Sequence, residues 1–275
     1  MNKCSLIVTD MDGTLLNESH TLTPYTIDVL KKAQARGIGV LLASGRDYEN
    51  LHVFGEELNL RSCPLSGYMT LNGLETYDYQ GLAIIKHPRL SYHDILPFHD
   101  IVKRAHLSLL LFYENHHNIL SYCQSIDASQ FVDTKEYMPA TFEDLSSFQQ
   151  DALLKIVLFG QEEKTSAMLD QIPEELKSSY EITMVEKEWV EVNPKGVDKA
   201  RGLQDFMTYH HLPLEEVMVY GNGENDLTML ASAPHSFSPA NALPVVLAQA
   251  HTIIEDNDHD EVAKHIETYL KALSL

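Results

Sequence analysis

Cysteine is scarce in this 275-residue chain. Cys4, Cys63 and Cys123 are odd in number, scattered, and include no CxxC pair. Such a set supplies neither a disulfide framework nor a Cys-ligated zinc site, and it suits a reducing compartment. Positive charge is scarce too: 20 Lys and Arg stand against 40 Asp and Glu, for a formal net charge of −20, and no Lys/Arg-rich stretch occurs. A nucleic-acid partner asks for a basic face, so none is expected. A phosphorylated ligand would meet a repulsive overall field and would need local positive charge at its site. No apolar run approaches the roughly 18 residues of a membrane span. The N-terminal MNKCSLIVTD meets an acid after a short apolar run, which is unlike a signal peptide. The expectation is a soluble, cytoplasmic protein with no membrane and no nucleic-acid contact.

Hydrophobic residues make up 44% of the chain, ample for one large core or two modest ones. Leu6, Ile7 and Val8 form a short apolar run ending in an acid, which suits a buried parallel strand. Thr23 and Pro24 supply an N-cap and a first helical position, Ile27, Leu30 and Ala33 keep helical spacing, and Gly37 closes the helix. IGVLLA (38–43) predicts the next strand, a helix follows through Tyr48, Leu51 and Phe54, and YMTLNG (68–73) predicts a third strand. Alternating strands and helices are the grammar of a doubly wound α/β sheet. From about Gly81 to Val190 the pattern changes: LAIIKH, LSLLLFY, NILSY, LLKIVLFG, YEITMVE and WVEV mix with helical segments near 91–106 and 162–171. That mixture predicts an α+β unit with a partly antiparallel sheet. After Pro194 the first grammar returns: a helix over 196–209, strand EEVMVY, a polar loop, helix DLTMLASA, strands HSFS and HTII, and a last helix in DEVAKHIETYLKAL. The expected organisation is therefore an α/β core of residues 1–80 and 191–275, interrupted by an α+β domain over 81–190.

Asp10-Met11-Asp12-Gly13-Thr14 sits at the carboxyl end of the first strand, the edge where open α/β sheets bind ligands. Two acids two residues apart can face one crevice, either holding a hard cation or dividing nucleophile and acid–base roles. A calcium loop does not fit, because Gly13 is at its fourth position and Thr21 at its twelfth. The loop GNGENDLTML (221–230) crowds Asn222, Glu224, Asn225 and Asp226 before a helix. His116-His117 and His210-His211 are adjacent pairs without metal-binding spacing, and surface positions are expected for them. Trp189, Tyr113 and Tyr122 are expected to pack in the inserted domain.

DMDGT after a strand resembles the first motif of the haloacid-dehalogenase-like (HAD) phosphohydrolases. Ser44, before Gly45-Arg46, resembles the second motif; NPKGVDKARGL resembles the third; GNGENDLTML resembles the fourth, usually GDxxND. LNGLETYD (71–78) and DNDHDEVAKHIETYL (256–270) resemble the Cof-like subclass, IIB, which carries its cap between the second and third motifs. The resemblance covers the whole core in order; the cap matches by position and style. It implies a Rossmann-like, mostly parallel sheet with an inserted cap of the C2B type that closes over the site and excludes water.

The resemblance also implies a chemistry. Asp10 would attack phosphorus to form an aspartyl-phosphate. Asp12, partly protonated near neutral pH, would protonate the leaving oxygen and then deprotonate water. Magnesium would be held by the Asp10 carboxylate, the Asp12 backbone carbonyl and Asn222, with Asp226 steadying that shell. Phosphoryl oxygens would meet Asp12, Gly13, Thr14, Ser44, Gly45, Lys199 and Asn225. Two lysines compete for the third-motif role. The subclass pattern places it after Gly196-Val197-Asp198, hence at Lys199, on a helix starting near Gly196, with Lys195 left for rim contacts. Asn222 stands where the pattern has an acid, so the metal site loses one negative ligand. The implied function is a magnesium-dependent phosphatase of small phosphorylated metabolites, a sugar phosphate or a phosphorylated cofactor, acting as a monomer or homodimer. A phosphomutase or phosphotransferase using the same intermediate, and a non-catalytic phosphometabolite-binding paralogue, are the alternatives.

Overall fold

The computed structural model describes residues 3–114, 118–122 and 137–273. The chain divides into two compact units, one of residues 1–87 with 198–275 and one of residues 88–197. Among the described residues, no helix is long and apolar enough to cross a membrane.

The discontinuous unit begins with β1 (Leu6–Asp10), α1 (Pro24–Ala35), β2 (Gly39–Ala43), α2 (Tyr48–Glu57), β3 (Gly67–Thr70), β4 (Glu75–Asp78) and β5 (Ala83–Lys86). All five residues of β1 are buried, as a strand covered on both faces requires. The Thr23 side chain accepts a hydrogen bond from the Thr26 N–H, and Pro24 sits at the first helical position, so α1 starts where its capping residues dictate.

The inserted unit contributes α3 (Tyr92–Ala105), β6 (Ser108–Tyr113), β7 (Ile119–Tyr122), β8 (Met138–Pro139), β9 (Leu153–Phe159), α4 (Glu162–Gln171), α5 (Glu174–Ser179), β10 (Tyr180–Glu186) and β11 (Trp189–Pro194). Among the described residues, its six strands form a second sheet in the order β10-β11-β9-β6-β7-β8, antiparallel except for β7 with β8. Ile95, Phe98, Ile101 and Val102 of α3 and Met168 of α4 pack with Leu109, Leu111, Ile156, Leu158, Val190 and Val192, one face of that sheet. The period of two in these strands produces that apolar face. On the opposite side, Lys155 Nζ reaches Glu191 Oε1 at 2.6 Å, both residues being buried.

The chain then returns through α6 (Lys199–His210), β12 (Val217–Tyr220), α7 (Leu227–Ser232), β13 (Ser236–Pro239), α8 (Pro244–Leu247), β14 (Thr252–Ile254) and α9 (Glu261–Ala272). The core sheet runs β14-β13-β12-β1-β2-β3-β4-β5, parallel from β14 to β3, with β4 and β5 antiparallel at one edge. Ile7, Val40 and Leu42 pack with residues of α1, α2 and α9, whereas Leu6, Val8, Leu41 and Ala43 pack with residues of α6, α7 and α8. Alternate residues of one strand thus feed two helical layers, which makes the sheet doubly wound.

Several elements differ from expectation. LAIIKH supplies β5, which pairs with β4 in the core sheet, so the core unit reaches His87 and does not end at residue 80. β11 pairs with β9 and β10, so the inserted unit continues to Val197, beyond residue 190. YMTLNG is a strand only to Thr70, because Asn72 and Gly73 both take positive φ in a turn. β4, α5 and α8 carry no apolar period and were not expected. His210 is no surface histidine: it is half-buried, with its ring 4.4 Å from that of Phe206, and burial lowers its pKa. The pair His116 and His117 lies outside the described residues.

Candidate active site

Because β1, β2 and β12 are parallel neighbours, Asp10, Ser44 and the loop 221–226 all emerge at the carboxyl edge of the core sheet. Asp10 ends β1 and is 6% exposed. Its Oδ1 lies 2.5 Å from Lys199 Nζ, and the same ammonium lies 2.7 Å from Asp226 Oδ1. Lys199 and Asp226 are fully buried. The second Asp226 oxygen accepts the N–H groups of Asn222 and Gly223, each at 2.9 Å. Asp226 thereby shapes the loop and anchors the lysine, and no oxygen of it is left over.

Lys199 reaches this position because α6 approaches the turn after β3 closely. A Cβ on Gly73 would sit 2.3 Å from the Asp198 carbonyl oxygen, and φ at Gly73 is +93°, so only glycine is accommodated there. The helix starts at Lys199, not near Gly196, because the Asp198 side chain caps it by accepting the Arg201 N–H at 2.8 Å. Lys195 belongs to the other unit, where its ammonium meets Glu181 at 3.1 Å.

Two buried acids share one buried base, so the trio carries a net negative charge when all three ionise. Burial, and then repulsion from Asp226, push Asp10 up from 3.8 to about 7 despite the attraction of Lys199. Lys199 is held above its ordinary value by its two carboxylates, against the opposing effect of burial. A raised carboxyl pKa favours the folded state only while Asp10 keeps its proton. Without a bound cation, stability should therefore fall as pH rises from about 4 to about 7. Thermal melts in EDTA at pH 5 and pH 8 check this. Asp10→Asn should out-melt the wild type at pH 8 by roughly 2–6 °C and keep only about a third of that advantage at pH 5. An equal offset at both pH values would contradict the assignment.

Gly13 has φ +75°, and a Cβ there would meet the Asn222 amide at 2.4 Å. This glycine lets two loops close on each other. The Asn222 amide satisfies its hydrogen bonding with the nitrogen turned inward, where it donates to the Thr14 hydroxyl oxygen at 2.8 Å, the Asp12 carbonyl oxygen at 3.0 Å and Asp10 Oδ2 at 3.2 Å. A hard cation here would be met by the Asp10 carboxylate, the Asp12 carbonyl and, with the amide turned over, the Asn222 oxygen. Among the described residues, no three His, Cys, Asp or Glu side chains gather to hold a metal, so a cation here would rest on this mixed set.

Ser44 is buried just after β2, and its Oγ accepts the Arg46 N–H at 3.1 Å. Its backbone carbonyl accepts the Asn72 N–H, and Asn72 Oδ1 accepts Asn225 Nδ2 at 3.0 Å. Asn72 thus ties Ser44 to Asn225. It was part of a recognisable stretch, but its role was not legible, because it depends on a left-handed turn at φ +53°.

Asp12 departs from expectation. Arg46 grips its carboxylate in a fork, Nε to Oδ2 at 2.9 Å and Nη2 to Oδ1 at 2.6 Å, and His20 Nδ1 lies 2.9 Å from Oδ1. Partial burial alone would raise the Asp12 pKa, but Arg46 first and His20 second hold it below the ordinary range. In this conformation the Arg46 fork and His20 favour the ionised carboxylate of Asp12 over the partly protonated acid expected. Neither partner was foreseen. Arg46 followed the second-motif serine in plain sight, whereas His20 arrives from a loop with no periodic signal.

A family model described as haloacid dehalogenase-like hydrolase matches residues 7–266. The 5-amino-6-(5-phospho-D-ribitylamino)uracil phosphatase YitU of Bacillus subtilis is 25% identical over 279 residues, covering 96% of this chain and 97% of that protein. The pyridoxal phosphate phosphatase YbhA of Escherichia coli is also 25% identical over 279 residues, covering 96% and 98%. A solved HAD subclass IIB sugar phosphatase superposes with TM-score 0.78 at 23% identity, over 96% of this chain and 98% of that one. The parallel core, the inserted second sheet and these matches agree: the chain belongs to the haloacid dehalogenase-like hydrolases and is a phosphatase of the Cof-like, subclass IIB type.

Proposed function

We propose that this phosphatase hydrolyses small phosphorylated metabolites through a phosphoryl group carried on Asp10, with magnesium as its cation. The observation that carries the reading is the division of labour within the Asp10 carboxylate. Oδ1 is paired with the buried Lys199 ammonium, while Oδ2 and the Asp12 carbonyl oxygen both meet the Asn222 amide. That pairing supports Oδ1 as the nucleophile, beside a fixed positive charge, and Oδ2 as a ligand.

The Asp10 carboxylate, the Asp12 carbonyl oxygen and the Asn222 amide oxygen would hold the magnesium. Bound there, magnesium would neutralise phosphoryl charge and offset the acidic field of the chain. Asp10 Oδ1 attacks phosphorus, the bond to the ester oxygen breaks, and the alcohol leaves with a proton. Lys199 stabilises the charge on the Asp10 carboxylate and on the transferring group. Ionised Asp12 then takes a proton from water, which attacks the phosphorylated Asp10 and releases inorganic phosphate. Protonation of an alkoxide leaving group requires Asp12 to release Arg46 and gain a proton first. Ser44, Asn225, Thr14 and the backbone after Gly13 complete the phosphoryl cradle.

The related phosphatases act on a phosphorylated ribityl uracil, on pyridoxal phosphate and on sugar phosphates, as their names state. Those names support the same breadth here: a phosphate monoester on a small polar body. Phosphate release across a panel of phosphorylated sugars, alditols and vitamin derivatives, with magnesium, tests it. Free phosphate without a phosphorylated acceptor product supports hydrolysis; a phosphorylated acceptor would instead identify a transferase.

Asn222 contributes no charge to the cluster, so Asn222→Asp should lower the magnesium concentration for half-maximal activity by about tenfold. A titration of activity against magnesium checks this. An unchanged or raised requirement would remove Asn222 from the ligand set.

A further inference from the structure

The segment after β13 touches both loops of the site. Asn241 Nδ2 donates to the Gly13 carbonyl oxygen at 3.0 Å, and the Leu243 N–H donates to the Asn222 carbonyl oxygen at 3.3 Å. Asn241 is itself held, since its Oδ1 accepts the Asn257 N–H at 3.3 Å. The Asn257 side chain donates to the Leu16 carbonyl oxygen at 2.8 Å. Two asparagines, from the loops after β13 and after β14, therefore take the carbonyls at either end of the Gly13–Leu16 segment.

The Gly13 carbonyl is a position where such a hold has consequences. In a trans peptide the carbonyl of one residue and the N–H of the next point in opposite directions. Fixing the Gly13 oxygen on Asn241 therefore fixes the direction of the Thr14 N–H, on the far side of that peptide plane. Gly13 is at φ +75°, and glycine populates alternative backbone regions cheaply. The Leu16 N–H closes the loop on the Met11 carbonyl oxygen at 2.9 Å without holding the Gly13 carbonyl, and Asn241 supplies the direct hold on that oxygen.

We propose that Asn241, supported by Asn257, is a positioning residue for phosphoryl transfer. It locks the Gly13–Thr14 peptide so that the Thr14 N–H faces the phosphoryl group. This rests on the cradle described above and adds to it a brace that contacts neither substrate nor cation. Donors aligned before reaction stabilise transferring charge without reorganisation, so loss of the brace should lower kcat more than it raises KM.

The test uses the full chain with three substitutions, Asn241→Ala, Asn241→Asp and Asn257→Ala. The aspartate keeps an acceptor for Asn257 but turns an oxygen against the Gly13 carbonyl. Turnover of 4-nitrophenyl phosphate with saturating magnesium, calorimetric titration with orthovanadate, and Tm are measured for each. Both Asn241 variants should lose about 10- to 100-fold in kcat with KM within about threefold, and orthovanadate binding should weaken about tenfold. Asn257→Ala, which leaves the Asn257 N–H on Asn241, should lose less, about three- to tenfold. Wild-type kcat and orthovanadate affinity in the Asn241 variants would overturn the proposal. So would losses that follow Tm in all three variants while orthovanadate affinity stays intact. If Asp10→Asn keeps its turnover, the nucleophile assignment fails, and the orthovanadate ratio still judges the brace. A wild-type chain that binds no orthovanadate overturns cradle and brace together.

Discussion

Asp10→Asn should reduce phosphatase turnover by at least about 10⁴-fold while leaving the fold intact. The amide is nearly isosteric with the carboxylate but is a far weaker nucleophile, and it places one neutral atom where the oxygen cluster needs an anion. Asp10 is at the end of a fully buried strand, between parallel neighbours on both sides, so the backbone holds its position whatever its charge. The Lys199 ammonium keeps a partner in Asp226 at 2.7 Å, so the substitution strands no buried cation. A loss of turnover with an undiminished metal-free Tm is therefore the expected pair of results. Steady-state kinetics on an aryl phosphate and a melt in EDTA measure both. Turnover within tenfold of the wild type would remove Asp10 from the chemistry.

Lys199→Ala should fail in both respects. The substitution leaves Asp10 and Asp226, both buried, facing each other with no cation between them. Removing one partner of a buried ion pair costs about 3–5 kcal/mol, and here two acids lose the same partner. The metal-free Tm should fall by about 10 °C, with a loss near 10³-fold in kcat from the missing charge beside the transferring group. Magnesium should restore part of the Tm, since a cation on the Asp10 and Asn222 oxygens relieves some of the repulsion. Melts with and without magnesium, alongside kinetics, decide it. A Lys199→Ala variant with wild-type Tm in EDTA would show that the buried trio does not hold the loop.

The parts of the site that lie in short, ordered strings are legible in the sequence alone. DMDGT, Ser44 and GNGENDLTML each follow a buried strand of a parallel sheet, and parallel topology brings the ends of such strands to one edge. The choice of Lys199 over Lys195 followed a local pattern, and the structure puts Lys199 on Asp10 while Lys195 stays with Glu181. The unread parts depend on contacts across the chain or on buried polarity. β4, ETYD, is fully buried, yet two of its four residues are acids, so no apolar pattern marks it as a strand. Its partner β5 looked like part of the insertion, because an antiparallel edge strand carries no sign of the sheet it joins. Arg46, His20, Asn72, Asn241 and Asn257 act through hydrogen bonds whose partners lie far away in sequence or on left-handed turns. The hold of Arg46 on Asp12, across 34 positions of sequence, was unread for the same reason.

The central claim is that a phosphoryl group passes through Asp10. It is tested most directly by acid-quenching the protein during turnover of 4-nitrophenyl phosphate with magnesium and examining it by mass spectrometry. The account predicts one added phosphoryl group, located on Asp10 and absent from the Asp10→Asn variant. Active turnover with no phosphorylated protein at any quench time, or with the group on another residue, would contradict it.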